Sequence, residues 1–322
     1  MQLYAYRTRS GRDRWAVVVG GGLLTGGQLE REGGLAGAWV WTHLDLGTVL
    51  GFADRSWWRR LAKSADRAVA HGAQSRPLDT RRPGPAFPYP GKIVCVGLNY
   101  RAHAAEQGIA PPDRPLLFSK FANAVVAEGE PVIRPIGCHA LDFEAELGVV
   151  IGTTARRVAA ADAWAHVGGY VVGNDVSARD WQGTRQALRA GERGDGQWLR
   201  AKGSDTFYPM GPVFVTADEV PSPPALELRS WLIPGSGADA GTSVPWQAAN
   251  TDDLLFDIPA LIEFVSRSIT LDPGDIITTG TPSGVGVFRE PPVFLASGDR
   301  IRVEIEGIGS VENPVVDAAE TD

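Results

Sequence analysis

The sequence predicts an α+β protein that is mainly β, with a small β-rich domain ahead of a larger one. Apolar runs of strand length outnumber helical patterns, and many connections between them are of hairpin length. Five prolines also fall within the fifteen residues from Arg76 to Pro90, and this density excludes helix and interior strand. We therefore expect an N-terminal domain at 1–75, an extended linker at 76–91, and a mixed, largely antiparallel domain at 92–322.

The first 75 residues combine short β-rich runs with glycine turns. Trp15–Val19 is β-rich, and three glycines follow it at Gly20–Gly22, so we expect short strands around tight turns up to about residue 50. Residues 54–72 hold Ala, Arg, Trp and Leu in a mixture that is typical of a helix.

Beyond the linker, apolar runs predict four buried strands and one helix. The predicted strands are Lys92–Gly97, Ala145–Ile151, Val167–Asp175 and Ile276–Thr279. The predicted helix covers Asp257–Ser268, because Asp257 is a suitable N-cap and Pro259 lies in the first turn.

Composition and charge narrow the class of protein. The net charge of -7 and the pI near 5.4 argue against nucleic acid or an anionic membrane as the main partner. Two cysteines do not form a disulfide framework, which favours a reducing compartment. We also find no signal-peptide pattern and no uninterrupted apolar run of the ~18 residues that a membrane span needs, so we expect a cytoplasmic protein.

Three carboxylates stand where predicted strands begin or end. Glu144 and Glu146 are two residues apart at the start of one strand, which puts them on one face, and Asp175 ends another. Such acids are costly to bury without a cation, and an all-oxygen set favours Mg²⁺ or Mn²⁺, with Ca²⁺ as a further option, over zinc. The alternative is an edge strand with a hydrated acidic face.

A histidine and a carboxylate lie three residues apart just after the first predicted strand of the larger domain. On a helical turn His103 and Glu106 share a face, so the carboxylate can orient the imidazole as a general base. The alternative is an exposed helix start with incidental charges.

Two further segments have both a functional and a structural interpretation. Lys202 precedes a glycine, where a lysine is usually on the surface; if buried, it would offset the carboxylates or bind substrate. Residues 279–286 are either a tight loop or a set of hydroxyl and N–H groups that binds an anionic substrate group.

Taken in order, these segments resemble the fumarylacetoacetate hydrolase family. The matching segments are 96–106, 142–147, 173–182, 201–206 with 209–212, 273–286 and 306–314. Each is weak alone, but six in register over about 90–315 are specific. The resemblance implies a mixed β-sheet roll, a homodimer, and C–C hydrolysis, decarboxylation or isomerisation of an oxo acid.

The resemblance also assigns roles to residues. It implies Mg²⁺ or Mn²⁺ on Glu144, Glu146 and Asp175, and His103 as the base, supported by Glu106. Lys202 joins the catalytic group, and the substrate-binding group is Tyr100, Arg101, Arg179, Gln182 and Thr281. A metal that polarises a 2-oxo acid stabilises the enolate common to these reactions. Our first hypothesis is a hydrolase of an acylpyruvate or β-diketo acid; the alternatives are a decarboxylase or isomerase, or a non-catalytic binding protein.

The chain departs from the family pattern in two segments, 184–196 and the hairpin at 233–242, which are longer than usual and rich in glycine. We expect both to border the pocket, where flexible segments suit a lid. Trp181, Trp198 and Trp246 lie near the motifs, which favours a pocket more aromatic than a small oxo acid needs.

Overall fold

The computed structural model describes residues 1–52, 55–77, 82–183 and 196–319. In chain order the strands are β1 (Gln2–Arg7), β2 (Asp13–Val19), β3 (Gly22–Leu24), β4 (Arg76–Pro77), β5 (Arg82–Pro83), β6 (Ile93–Gly97), β7 (Leu116–Lys120), β8 (Val125–Ala127), β9 (Val132–Arg134), β10 (Leu141–Asp142), β11 (Ala145–Ile151), β12 (Val167–Asn174), β13 (Ser177–Ala178), β14 (Tyr208–Met210), β15 (Val213–Thr216), β16 (Glu227–Ile233), β17 (Val244–Asn250), β18 (Ile276–Thr278), β19 (Arg300–Ile305) and β20 (Gly309–Asp317). The helices are α1 (Gly26–Arg31), α2 (Ala38–Trp41), α3 (Leu46–Phe52), α4 (Arg55–Ala70), α5 (Arg101–Glu106), α6 (Arg179–Gln182), α7 (Trp198–Gly203) and α8 (Ile258–Ser266). Short 3₁₀ turns cover Ala122–Ala124, Ala160–His166, Ala217–Glu219, Thr251–Asp253 and Gly286–Phe288.

Mixed sheets dominate this fold, which confirms the α+β, mainly β prediction. Within the described ranges, thirteen strands form one sheet whose main path runs β4-β3-β2-β1-β15-β12-β11-β18-β6-β7. Most neighbours are antiparallel, while β18 and β6 are parallel. A five-stranded sheet, β17-β16-β19-β20-β9, forms a second layer, and β10 pairs with β13. The four strands predicted in the larger domain correspond to β6, β11, β12 and β18.

The ends of four central strands meet at one edge of the larger sheet. Ala145 at the start of β11 pairs with Asn174 at the end of β12. The last residue of β18, Thr278, pairs with Gly148 of β11 and with Cys95 near the end of β6. The segments that follow β6, β12 and β18 therefore emerge beside the start of β11, and this convergence brings the sequence-distant motifs together.

The two faces of β11 explain which side chains reach the site. Leu147, Val149 and Ile151 pack in a core cluster with the five-stranded sheet and α8. Side chains alternate along a strand, so Glu146 points to the opposite face, where Val150 packs. All seven residues of β11 are buried between two neighbouring strands, so the edge-strand alternative for the acidic segment is wrong.

The N-terminal region differs in part from the prediction. Strands β1 to β3 confirm the β-rich start, but helices α1 to α3 occupy much of the range 26–52, where we expected strands. Helix α1 begins where the Thr25 N–H donates to Gln28 Oε1 at 3.1 Å, a capping contact that the sequence interpretation overlooked. Strand β1 pairs with β15 of the larger domain, while β4 and β5 lie in the Pro-rich segment. The division at 76–91 stays a prediction.

The helices predicted at 54–72 and 257–268 correspond to α4 and α8. The Asp257 carboxylate accepts a hydrogen bond from the Ala260 N–H at 2.9 Å, as its N-cap assignment requires. None of the helices in the described part of the chain combines the length and apolarity needed to cross a bilayer.

Candidate active site

Three carboxylates converge at the edge where the four strands meet. Glu144 and Glu146 flank the start of β11, and Asp175 directly follows β12. The Asp175 N–H donates to the Glu144 carbonyl at 2.8 Å, so the chain positions these two residues through their main chains. One carboxylate oxygen from each of the three residues lies within 4.8 Å of the others, and all three side chains are buried.

Two lysines hold Asp175 from opposite sides. Nζ of Lys202, from α7, lies 2.9 Å from Glu144 Oε2 and 3.0 Å from Asp175 Oδ2. Nζ of Lys120, at the end of β7, lies 2.7 Å from Asp175 Oδ1 and donates to the carbonyls of Val176, Lys202 and Phe207. Lys202 is only 1% exposed, so the surface interpretation of this residue is wrong.

Arg179 joins the same cluster from the start of α6. Its Nη2 lies 2.6 Å from Glu144 Oε1 and 2.9 Å from Asp142 Oδ2. Burial alone would raise the pKa of Glu144, but Lys202 and Arg179 hold that pKa well below its usual range. Glu144 is therefore a fixed anion at neutral pH.

Glu146 differs from the other two acids because no cation pairs with it. Within the described residues no lysine, arginine or histidine forms an ion pair with it, and the Gly280 N–H approaches Glu146 Oε2 at 3.4 Å. Burial, and then repulsion from Asp175 and Glu144, raises the pKa of Glu146 well above its usual range. The charged form of Glu146 is therefore unfavourable unless an additional cation binds beside it.

The donor set fits a hard divalent ion. The three carboxylates offer only oxygen, and no cysteine or histidine belongs to the cluster. A bound cation would compensate the charge on Glu146 and the repulsion among the three acids. These residues can therefore hold a divalent metal.

The predicted His103–Glu106 pair forms on α5. His103 Nδ1 lies 2.9 Å from Glu106 Oε2, and Glu106 Oε1 accepts from the Gly284 N–H at 2.8 Å. On the other ring nitrogen, His103 Nε2 lies 3.0 Å from Nε2 of the Gln107 amide. Because a carboxylate only accepts and an amide nitrogen only donates, these partners place the hydrogen on Nδ1 and a lone pair on Nε2.

The environment of this histidine rules out the incidental-charge alternative. His103 is 5% exposed, and its ring meets Phe288 edge-on with 5.8 Å between centroids. His103 is therefore a buried residue of the cavity lining and does not lie at an exposed helix start.

The Asp142 carboxylate connects the loop that follows β18 to the Arg179 side chain. Its Oδ1 accepts from the Gly286 N–H at 2.9 Å, and its Oδ2 accepts from the Val287 N–H at 3.1 Å while pairing with Arg179. A side chain at Gly286 would collide with the Val293 carbonyl. The acid thereby fixes the turn that carries Phe288 over His103.

Three of the predicted substrate-binding residues, Arg179, Gln182 and Thr281, line the same cavity, and their substrate-binding roles stay predictions. Thr281 Oγ1 accepts from Gln247 Nε2 at 2.8 Å, which leaves the threonine hydroxyl hydrogen free to donate. Gln182 Oε1 accepts from Arg179 Nη1 at 3.0 Å, which leaves the Gln182 amide N–H groups as donors. Residues 279–286 thus provide a hydroxyl group to the cavity, as the functional interpretation of this loop expected.

Other predicted residues lie outside the cavity. Tyr100 is fully buried behind it, and burial raises the pKa of its phenol. Arg101 is exposed, with Nη1 3.9 Å from Asp253 Oδ1. Neither lines the cavity, and their substrate-binding roles stay predictions.

Of the two segments expected to form a lid, only the hairpin lies wholly within the described residues. Residues 184–195 lie outside the described ranges, and the hairpin at 233–242 contributes no lining residue. Of the three tryptophans, only Trp198 lines the cavity. Trp181 stacks under Arg200, and Trp246 stacks between Phe143 and Arg289.

His103, Glu144, Glu146 and Lys202 face one cavity of about 540 Å³, and Asp175 is clustered with the two glutamates without lining it. Its polar lining is formed by His103, Gln107, Glu144, Glu146, Arg179, Gln182, Lys202 and Thr281. Lys120, Gln107, Asp142 and Gln247 were not assigned a role from the sequence. Only Gln107 carried a local signal, because it lies one helical turn from His103.

Comparison with known proteins agrees with this geometry. The sequence model described as "Fumarylacetoacetate (FAA) hydrolase C-terminal" matches residues 92–316. A mitochondrial oxaloacetate tautomerase of Bos taurus is 45% identical over 70% of this chain and 67% of its own length. Two solved structures each match 99% of this chain and 100% of their own: a fumarylacetoacetate hydrolase from Exiguobacterium antarcticum (30% identity, TM-score 0.75) and a 5-carboxymethyl-2-hydroxymuconate delta-isomerase from Mycobacterium smegmatis (31% identity, TM-score 0.67).

Proposed function

Since the chain belongs to the fumarylacetoacetate hydrolase family, we propose that it is a metal-dependent enzyme that enolises a 2-oxo acid and returns the proton at a different atom, as a tautomerase or isomerase does. The observation that carries the proposal is that Glu144 and Glu146, with Asp175 clustered beside them, line the same cavity as a histidine whose Nε2 carries a lone pair. The names of the tautomerase and isomerase relatives support the same reaction class.

Glu144, Glu146 and Asp175 would hold Mg²⁺ or Mn²⁺, which, when bound, polarises the carbonyl of a 2-oxo acid and stabilises the negative charge of its enolate. Lys202 and Lys120 pair with Asp175 and orient it, and Arg179 pairs with Glu144 and orients it. Because both acids already carry fixed partners, their oxygens are preorganised before substrate arrives.

His103 moves the proton in this proposal. Nε2 takes a proton from the carbon next to the keto group, and the electron pair of that C–H bond moves to the carbonyl oxygen as the enolate forms. Glu106 stabilises the resulting imidazolium through Nδ1. The same nitrogen then returns the proton to the enolate oxygen or to another carbon, which completes a tautomerisation or an isomerisation with no net gain or loss of atoms.

The remaining polar lining would orient the substrate. The hydroxyl group of Thr281 and the amide of Gln182 are both donors with one partner already fixed, so each can donate to a carboxylate or carbonyl oxygen. Lys202, between two acids, would also offer its ammonium group to a substrate oxygen once the metal shares those acids.

C–C bond hydrolysis is the second candidate, and the hydrolase from Exiguobacterium antarcticum favours it because it covers the whole length of this chain. Here His103 would take a proton from water, whose oxygen bonds to the distal carbonyl carbon of a diketo acid. The C–C bond then breaks, its electron pair forms an enolate, and the proton returns to carbon. The same residues serve both reactions; hydrolysis differs in that water adds to the distal carbonyl carbon and the C–C bond breaks.

Two assays with purified protein and Mg²⁺ separate these candidates. The first follows the keto–enol interconversion of oxaloacetate by the absorbance of the enol. The second follows acetylpyruvate by mass spectrometry for acetate and pyruvate. We expect metal-dependent acceleration in the first. Release of acetate and pyruvate without acceleration of any tautomerisation would favour hydrolysis, and inactivity in both assays would contradict the proposal.

Three further expectations accompany the proposed function. A homodimer and a cytoplasmic location stay predictions; the cattle relative is named as a mitochondrial protein. A small oxo acid is the expected partner, and light scattering of the purified chain would test the dimer.

A further inference from the structure

Gln247 connects the five-stranded sheet to the elements that carry the site. It lies on β17 and is 3% exposed. Its Oε1 accepts from the Ala145 N–H at 3.0 Å and from the Ser230 hydroxyl group at 3.1 Å. Its Nε2 lies 2.8 Å from Thr281 Oγ1 and 2.9 Å from the Pro282 carbonyl oxygen. One side chain therefore contacts the start of β11, the neighbouring strand β16 and the loop that follows β18.

Two main-chain partners fix the orientation of this amide group. The Ala145 N–H can only donate, so the atom that faces it must be the oxygen of the Gln247 side chain. The Pro282 carbonyl can only accept, so the atom that faces it must be the nitrogen. The oxygen and the nitrogen of the amide are therefore assigned by independent contacts.

The amide nitrogen determines how the hydroxyl group of Thr281 is used. Nε2 of Gln247 carries two hydrogens and has no lone pair to offer, and its two partners are the Pro282 carbonyl and Thr281 Oγ1. Thr281 Oγ1 must therefore accept, and its own hydrogen must go to a different acceptor. Because Thr281 lines the cavity and is 4% exposed, a ligand group that accepts would satisfy this hydrogen, whereas one that only donates would not.

The loop lies close enough to β17 for this contact because position 284 is a glycine. Gly284 has φ = +102°, and a Cβ atom there would come within 2.8 Å of the Trp246 carbonyl oxygen and 3.5 Å of Gln247 Cγ. The Glu106 carboxylate accepts from the N–H of the same glycine at 2.8 Å. One loop therefore carries the Thr281 hydroxyl group and contacts the carboxylate that orients the proposed base.

We propose that Gln247 is a positioning residue that keeps the Thr281 hydroxyl group a hydrogen-bond donor, so that the site selects a ligand with an acceptor oxygen at this point. The inference rests on the proposed function, since it takes the ligand to be a 2-oxo acid whose carboxylate lies beside Thr281. A carboxylate has only acceptors, and a carboxamide of the same shape has an NH₂ group in place of one oxygen. Gln247 thus contributes to discrimination between an acid and its amide, although it does not line the cavity.

The test compares the binding of pyruvate and pyruvamide, which differ only in this replacement. Because an amide NH₂ group is a poor metal ligand, the oxygen of pyruvamide should face the cation and the NH₂ group should face Thr281. Paramagnetic broadening of the ligand methyl signal by Mn²⁺-loaded protein gives both dissociation constants without turnover. We expect the wild type to bind pyruvate at least about tenfold more tightly than pyruvamide.

Substitution of Gln247 should reduce this selectivity. Gln247→Met has a similar length but no hydrogen-bonding group, so the Thr281 hydroxyl group can rotate and accept from the amide; we expect the affinity ratio to fall at least about fivefold. Gln247→Glu retains an acceptor for Ala145 but offers no N–H to Thr281, and it should also lower the ratio. Gln2→Met is the matched control, because the Gln2 amide also donates to a carbonyl but does not line the cavity.

A second set of variants shows whether Gln247 acts through Thr281. In a Thr281→Val background, which lacks the hydroxyl group, Gln247→Met should not change the ratio further. In a Thr281→Ser background, which retains it, the effect of Gln247→Met should persist.

Three outcomes would overturn the inference. The first is a ratio that neither Gln247 variant changes, because a merely structural residue would weaken acid and amide alike. The second is an effect that persists in the Thr281→Val background. The third is loss of Mn²⁺ binding in both Gln247 variants, which would show that Gln247 supports the metal site as a whole.

Turnover by the wild-type protein keeps this inference distinct from the proposed function. If the ratio responds as expected but no oxo acid is enolised or cleaved, the proposed function fails and the role of Gln247 stands. If an oxo acid is enolised and the ratio is insensitive to Gln247, the proposed function stands and the role of Gln247 fails.

Discussion

The side-chain amide nitrogen of Gln107 lies 3.0 Å from Nε2 of His103, the atom that must accept a proton in the proposed reaction. With Glu106 on Nδ1 at 2.9 Å, both ring nitrogens are held by partners within the five residues from His103 to Gln107. Gln107 thus positions the base in its unprotonated form and must give way to substrate during each turnover.

Substitution of Gln107 tests this positioning. Gln107→Leu removes the donor and should lower kcat/KM about tenfold through loss of orientation. Gln107→Glu has nearly the same shape but only accepts, so Nε2 would have to carry a hydrogen and could not act as the base. We therefore expect Gln107→Glu to be less active than Gln107→Leu. A glutamate variant as active as the wild type in the oxaloacetate assay would contradict this role.

Removal of the unpaired acid should abolish metal binding without loss of the fold. Glu146→Gln keeps the side-chain volume while removing a buried charge that has no cationic partner, so apo stability should be unchanged or higher. Calorimetric titration with Mn²⁺ measures metal binding, and thermal unfolding of the apo protein measures its stability. The matched control is Glu128→Gln, a half-buried acid whose pKa burial also raises, and it should bind Mn²⁺ like the wild type. Undiminished Mn²⁺ binding by Glu146→Gln would show that the ligand assignment is wrong.

Metal binding should release a proton and weaken with acid. Burial and the charges of Asp175 and Glu144 raise the pKa of Glu146 in the apo protein, so this carboxyl retains its proton over a wider pH range. Because the metal needs the carboxylate, affinity falls as pH decreases through that raised pKa and is constant well above it. Calorimetry at one pH in two buffers of different ionisation enthalpy measures the released proton. Equal heats in both buffers would contradict the prediction.

The lysine between two metal ligands should substitute in part for a metal. Lys202→Met leaves Glu144 and Asp175 short of one cation, and breaking a buried pair of this kind costs about 3–5 kcal/mol of unfolding free energy. Added Mg²⁺ should therefore raise the Tm of Lys202→Met more than that of the wild type. Arg300→Met, which removes a half-exposed pair with Glu312, is the control and should cost at most about 1 kcal/mol. Equal destabilisation of the two variants would argue against the buried cluster.

The three clustered acids could be predicted because their signal is local. Glu144 and Glu146 precede an apolar run that reads as a buried strand, and Asp175 ends another, so the sequence itself shows carboxylates entering the interior. The spacing of His103 and Glu106 is equally local, since residues three apart share a helical face. The structure brings these five residues together with little change from that interpretation.

The cations could not be predicted in the same way. Whether Lys202 is buried depends on acids that are 27 and 58 residues away in the chain. Lys120 reaches Asp175 from the end of β7, a strand with no recognisable motif. Their burial follows from tertiary packing of strand ends, which periodicity does not report. Helices α1 to α3 were missed for a related reason, since glycine-rich segments have weak helical patterns and owe their structure to packing.

Proton exchange at carbon tests the central claim most directly. Pyruvate in D₂O with Mg²⁺ is followed by ¹H NMR, because enolisation at C3 replaces hydrogen with deuterium whether or not a later bond breaks. We predict that the wild-type protein accelerates this exchange at least about a hundredfold, as a positioned general base should, and that Mg²⁺-loaded His103→Asn does not. Exchange at the uncatalysed rate with the Mg²⁺-loaded wild-type protein would contradict the account.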